Sequence, residues 1–300
     1  MKKIITVWVK AARPQTMGLS AAVILAGSGQ VGIAALHWDV LLLALLSAAG
    51  FQLVSNFAND YGDFMKGTDT HRPESYRALS AGNLSESQVK HAIIWLALLS
   101  IISVIALVWR SPVPVSGKWV MFALGIASVV AAMAYTLGKR PYGYYALGDV
   151  MVFLFFGLLG VVGSYYLQGG DLSYLPVWLL AIIFGGLSAS VLHINNLRDR
   201  EKDKENGKTT LANLLGNDVA IKYQAVVFAI VIILSAVYAV LTQWGISVFL
   251  LGLWVLVTLW KALKYADSSK RHNDYNRCLA LTVKLTLLLS LPAFVVGLLT

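Results

Sequence analysis

Two short runs of carboxylates and amides stand out in a chain where charge is scarce. The first reads Asn56-Phe57-Ala58-Asn59-Asp60-Tyr61-Gly62-Asp63, followed by Lys66 and Asp69; the second reads Asn195-Asn196-Leu197-Arg198-Asp199-Arg200-Glu201-Lys202-Asp203, followed by Glu205 and Lys208. Offsets of three and four put Asn56, Asn59, Asp60 and Asp63 on one helical face, and Asn196, Asp199 and Asp203 on another. Carboxylates one turn apart repel unless positive charge lies between them. A hard cation such as Mg²⁺ meets that need with one or two carboxylates, water and the oxygens of a substrate phosphate. Facing pairs of such acids therefore suit a diphosphate held through Mg²⁺. Arg72, Arg77, Lys139, Arg140, Arg198 and Lys208 are available for the remaining phosphate oxygens.

The elements that must position these residues are membrane helices. Apolar residues make up 58% of the 300-residue chain and charged residues 13%, against about 45–50% and about 25% in soluble domains. Runs long enough to cross a bilayer core of about 30 Å fall at 17–36, 39–58, 90–109, 119–138, 148–167, 175–195, 220–241, 245–263 and 279–299. The expectation is an all-α, polytopic protein of nine spans, forming a single domain over 1–300. The first span does not read as a cleaved signal peptide, because hydrophobic spans continue behind it.

Charge sets the topology. The N-terminal tail and the connections after the even-numbered spans hold 21 of the 24 Lys and Arg residues, so the N-terminus is expected in the cytoplasm and the C-terminus outside. The net charge of +9 is thereby topological, and no nucleic-acid motif accompanies it. Both acidic runs leave the cytoplasmic ends of spans, the second and the sixth. An internal pseudo-repeat would bring them together across a central cavity opening to the cytoplasmic side. Segments 60–88 and 196–219 are expected to cap it. The single cysteine, Cys278, excludes a disulfide framework and a multi-cysteine metal centre.

Other features read as structural. Gly157, Gly160 and Gly163 suit close helix packing. His193 reads as a packed or cavity-lining histidine, and Asp149 as an acid meeting a helix dipole, with a secondary reading as a base toward a substrate hydroxyl. Lys284, the one basic residue inside a span once residues at the span ends are counted with the connections, is expected to snorkel. A secondary transporter is the rival class, but transporter sites lie at the bilayer midplane, whereas these acids gather at one face.

The motifs resemble those of the UbiA superfamily of membrane aromatic prenyltransferases. Asn59-Asp60-Tyr61-Gly62-Asp63 is similar to its N-D-x-x-D motif and Asp199-Arg200-Glu201-Lys202-Asp203 to its D-x-x-x-D motif. Tyr135-Thr136-Leu137-Gly138-Lys139 matches its Y-x-x-x-K stretch, and the segment from Arg77 to Ser85 its R-x-L-x-S-G-x-L-S pattern. Further strings, including Arg13-Pro14-Gln15-Thr16 and Lys139-Arg140-Pro141-Tyr142-Gly143-Tyr144, resemble the branch that prenylates 1,4-dihydroxy-2-naphthoate in menaquinone synthesis; the 4-hydroxybenzoate branch is the alternative.

The resemblance implies transfer of a polyprenyl chain from its diphosphate to the aromatic acceptor in a bacterial cytoplasmic (inner) membrane, with no obligate protein partner. It implies Mg²⁺ at Asp60, Asp63, Asp199 and Asp203, supported by Asn56, Asn59 and Asn196. Lys139, Arg140, Arg77, Lys208 and Arg198 are implied at the diphosphate, and Tyr135 at the reacting cation. The superfamily's common third acid, four residues after Asp63, is Gly67 here; Asp69 is the candidate to replace it.

Overall fold

The computed structural model describes residues 2–67, 79, 82–242, 253, 257 and 271–299. Among these the chain is nearly all helical. The only β contact is an isolated parallel bridge between Tyr145 and Thr209. The helices are α1 (Lys2–Ala12), α2 (Pro14–Ser28), α3 (Trp38–Met65), α4 (Glu86–Arg110), α5 (Val115–Ala134), α6 (Gly148–Leu167), α7 (Leu175–Glu205), α8 (Leu211–Leu215), α9 (Asn217–Thr242) and α10 (Arg271–Leu299). Seven of them, α3 to α7, α9 and α10, are long and apolar enough to cross a membrane. The expected first span is shorter than its hydropathy suggested: α2 ends at Ser28 and a single 3₁₀ turn, Gly29–Val31, follows. The expected span 245–263 lies outside the described residues apart from 253 and 257.

Local chemistry sets the helix ends. Pro14 opens α2, where its missing N–H costs nothing. Ser85 and Gln88 form a reciprocal cap on α4, and Thr210 and Asn213 do the same for α8. α3 and α7 run well past their apolar stretches, so the two acidic runs are the closing turns of rigid helices. The expected caps therefore begin inside α3 and α7.

α7 is the central element, buried along most of its apolar length and packed by α6, α9 and α10. α6 departs from α-helical pitch: Phe153–Gly163 is π-helical. Gly157 meets Gly185 and the Ala181 carbonyl of α7 so closely that a Cβ would stand 2.5 Å from that oxygen. Close packing is therefore the role of Gly157, as its spacing suggested. α2 lies against α10 and α3, and α3 against α4. α1, which hydropathy left as a tail, lies over the ends of α3 and α4, with the Trp8 ring 5.5 Å from that of Phe57.

Candidate active site

The first acidic motif is locked from three sides. Arg13, the residue joining α1 to α2, has left-handed backbone geometry at φ 50°, which costs on the order of 1 kcal/mol. Its guanidinium pairs with Asp60, which is buried. One turn earlier, Asn56 donates to the Ala12 carbonyl at 2.7 Å and to Thr16 Oγ1 at 3.2 Å, and accepts from Gln52 Nε2 at 3.2 Å. Asn56 thus ties α3 to the α1–α2 junction. Asp63 accepts a hydrogen bond of 2.8 Å from the Tyr144 hydroxyl. Gly62 permits this arrangement: a Cβ there would come within 2.7 Å of Thr136 Cβ, so only glycine lets α3 approach the turn after α5.

Two ammonium groups, one just after α3 and one between α7 and α8, reach the ring of Tyr144 in the connection from α5 to α6. Lys66 Nζ sits 3.8 Å from the Tyr144 ring centroid and donates to the Thr136 carbonyl at 3.2 Å. Lys208 Nζ lies 5.6 Å from the same centroid. Partial burial, with Lys208 nearby, holds the Lys66 ammonium below its ordinary pKa, while Asp63 pulls the other way. The Tyr145–Thr209 bridge brings Lys208 here: the Ala146 amide donates to the Thr209 carbonyl at 2.8 Å, and the Thr209 amide to the Tyr144 carbonyl at 3.3 Å.

The second motif has the same form. Arg198 folds onto its neighbour, donating Nε to Asp199 Oδ1 at 2.9 Å and Nη2 to Oδ2 at 2.7 Å. It also donates to Asn195 and to Asn276 of α10, each at 2.6 Å. Asp203 faces Lys208 Nζ at 3.9 Å. Asn196 and Asn59 each bury a side-chain carbonyl oxygen that has no hydrogen-bond partner.

A cavity of about 1410 Å³ runs from this polar end into the helix bundle. Of the predicted site residues, Asn56, Asn59, Tyr135, Arg198, Asp199 and Lys208 line it. Asp60, Asp63, Asn196 and Asp203 are buried just behind that lining. Lys139 and Arg140 are exposed on the turn after Tyr135 and do not line the cavity. Arg77, Arg72 and Asp69 lie outside the described residues. Sequence reasoning missed Arg13 as a partner of Asp60 and Lys202 as a lining cation, and it named Tyr144 only within a motif string. Arg13 had been noted in its Arg-Pro string, but nothing in the chain pairs it with a residue so far ahead.

The deeper part of the cavity is apolar. Phe51, Val104, Met121, Phe155, Phe156 and Leu159 are among its walls, and Tyr135 and Tyr142 meet edge to face, 5.4 Å apart, nearer the mouth. Phe153 instead packs on Gly185. His193 is fully buried: Nδ1 lies 2.8 Å from Asp149 Oδ2 and Nε2 lies 3.1 Å from the Ala220 carbonyl. A carbonyl only accepts, so Nε2 is the donor to Ala220, and neither His193 nor Asp149 lines the cavity.

The donor set fits a hard divalent cation in one specific sense. Among the described residues no three acidic, His or Cys groups converge on one point. The oxygens come as a pair on α3 and a pair on α7, with two orphaned amide oxygens beside them. Mg²⁺ typically uses one or two carboxylates and completes its shell with water and substrate phosphate.

Comparison with known proteins identifies the family and the fold. The model of the UbiA prenyltransferase family matches residues 18–297. Two relatives named 1,4-dihydroxy-2-naphthoate octaprenyltransferase are similar over almost the whole chain. The one from Escherichia coli is 38% identical, covering 97% of this chain and 94% of the relative; the one from Haemophilus influenzae is 36% identical, covering 97% and 95%. A UbiA homologue from Archaeoglobus fulgidus, solved bound to GPP and Mg²⁺, shares the fold with a TM-score of 0.70 at 17% identity, covering 98% of this chain and all of that one.

Proposed function

The chain belongs to the UbiA prenyltransferase family, and we propose that it transfers a polyprenyl chain from its diphosphate to 1,4-dihydroxy-2-naphthoate. CO₂ and pyrophosphate leave, giving the quinol form of demethylmenaquinone. The observation that carries this reading is one cavity with two chemistries: Asp199, amides and cations at its mouth, with Asp60, Asp63 and Asp203 buried outside the lining, and aromatic and aliphatic walls below. A polyprenyl diphosphate has the same two halves. The relatives' names support the naphthoate acceptor.

In this reading Asp60 and Asp63 on α3, with Asp199 and Asp203 on α7, hold Mg²⁺ directly or through water, and Asn59 and Asn196 offer their orphaned oxygens. Asn56 supports them by fixing α3 to α2. Bound Mg²⁺ supplies Lewis-acid neutralisation of the leaving diphosphate. Arg198, Lys202 and Lys208 take diphosphate oxygens from the cavity wall, while Lys139 and Arg140 act from the exposed turn after Tyr135; Arg77, outside the described residues, is assigned to the diphosphate from its motif alone. The C–O bond breaks with its electron pair on the diphosphate, and the rings of Tyr135, Tyr142, Phe155 and Phe156 face the allylic cation and exclude water. The acceptor carbon bearing the carboxylate forms the new C–C bond. The pair released from the C–CO₂ bond then restores the aromatic ring, so no strong base acts on that carbon.

The wider architecture proposed is nine spans around a cavity open to the cytoplasm, in a bacterial inner membrane, with the N-terminus inside and the C-terminus outside. α2 and the segment 245–263 supply the two spans beyond the seven long helices. Segments 60–88 and 196–219 close over the mouth.

The test is an assay of detergent-solubilised protein with a polyprenyl diphosphate and 1,4-dihydroxy-2-naphthoate, with and without Mg²⁺. The expected result is a Mg²⁺-dependent prenylated product with CO₂ in equal amount. Prenylation of 4-hydroxybenzoate with dihydroxynaphthoate untouched overturns the acceptor assignment.

A further inference from the structure

One cation of the cavity, Lys284, is unused by this mechanism and stands apart from the cations of the mouth. The hydropathy span starting at 279 put Lys284 near a charged helix end, free to snorkel. In the structure α10 begins at Arg271, so Lys284 lies about 20 Å along a helix that ends at Leu299. It is exposed and lines the cavity, and among the described residues it forms no salt bridge. The mouth cations Arg13, Arg198 and Lys208 each face a carboxylate; Lys284 stands two helical turns, about 12 Å, below Asn276, the Arg198 partner. A cation that lines a cavity from a helix long and apolar enough to cross a membrane marks a ligand contact more often than a packing role.

Its surroundings define the ligand. Leu19, Val191 and Val283 form a buried apolar cluster against which Phe156 and Leu279 pack, and all five line the cavity beside Lys284. Apolar walls with a single cation fit a flat, apolar anion. Side chains on a helix lean toward its N-terminus, here the polar mouth, so the ammonium reaches up toward the space just beneath the diphosphate.

Resting on the prenyltransfer reading, we infer that Lys284 binds the carboxylate of the aromatic acceptor and that the Phe156 cluster receives its ring. The consequence is directional. The substrate is anionic and held; the product has lost its carboxylate as CO₂, is neutral, and returns to the bilayer.

The test is equilibrium binding of 1-hydroxy-2-naphthoate and of 1-naphthol, which lacks the carboxylate, to the whole protein in lipid-free detergent and in vesicles containing an anionic phospholipid. Wild type is expected to hold the carboxylate form at least about tenfold tighter, equivalent to about 1.4 kcal/mol. Lys284→Met is expected to abolish that preference in both settings, and Lys284→Arg to keep it. In steady state, Lys284→Met is expected to raise KM for dihydroxynaphthoate about tenfold with KM for the prenyl diphosphate unchanged. An unchanged preference in Lys284→Met overturns the inference. So does a preference lost only in the anionic vesicles, which would make a lipid phosphate the ligand. A wild-type protein that shows the preference yet transfers no prenyl group overturns the function and leaves the Lys284 assignment standing.

Discussion

The Tyr144 hydroxyl donates to Asp63 across 2.8 Å, and that one bond joins the end of α3 to the connection from α5 to α6, which the Tyr145–Thr209 bridge ties to the segment carrying Lys208. It makes Tyr144 a positioning residue for the first acidic motif. A hydrogen bond to a charged group contributes about 1.5–3 kcal/mol. Tyr144→Phe keeps the ring between Lys66 and Lys208 but removes the bond, so kcat/KM should fall roughly tenfold to a hundredfold. Steady-state assays with the polyprenyl diphosphate varied check this; an unchanged kcat/KM sinks the positioning role.

Asp60→Asn and Asp199→Asn each leave size and burial intact while removing a charge that faces a guanidinium. Turnover should drop at least about a hundredfold, with the protein still inserted and monodisperse in detergent. Size-exclusion profiles taken alongside activity separate a lost reaction from a lost fold. Near-normal activity in either variant removes that carboxylate from the mechanism.

The cations can be ranked by where they stand. Lys208 lines the cavity, whereas Lys139 and Arg140 are exposed outside it. Exposed ion contacts contribute about 0–1 kcal/mol, so Lys139→Ala and Arg140→Ala should each change KM for the diphosphate substrate by less than about fivefold. Lys208→Ala should change it by far more. The reverse order would show that the turn after Tyr135 closes onto the substrate.

Lys66 gives a pH dependence of defined sign. Its native pKa lies below its ordinary value, so the unfolded chain binds its proton more tightly than the folded one. The cost of holding it charged is full below the native pKa and is relieved as pH rises through that value toward the unfolded one. The Tm of wild type relative to Lys66→Met should therefore rise as pH is raised from 7 toward 10. A Tm difference constant across that range contradicts the burial argument.

Sequence alone determined the features that depend on local chemistry. Apolar run length gave most of the spans, because a bilayer accepts only stretches of a certain length; α6 falls at 148–167 as read. Offsets of three and four placed the motif residues on single helical faces, because an α-helix repeats every 3.6 residues. Tertiary structure decided everything that depends on partners far apart in the chain. It gave Asp60 to Arg13, Asp63 to Tyr144 and Asp149 to His193. It set Lys139 outside the cavity and Lys284 inside it. Residue type states what a side chain can bond to, but only the packing of α2, α3, α7 and α10 around one cavity states what lies within reach.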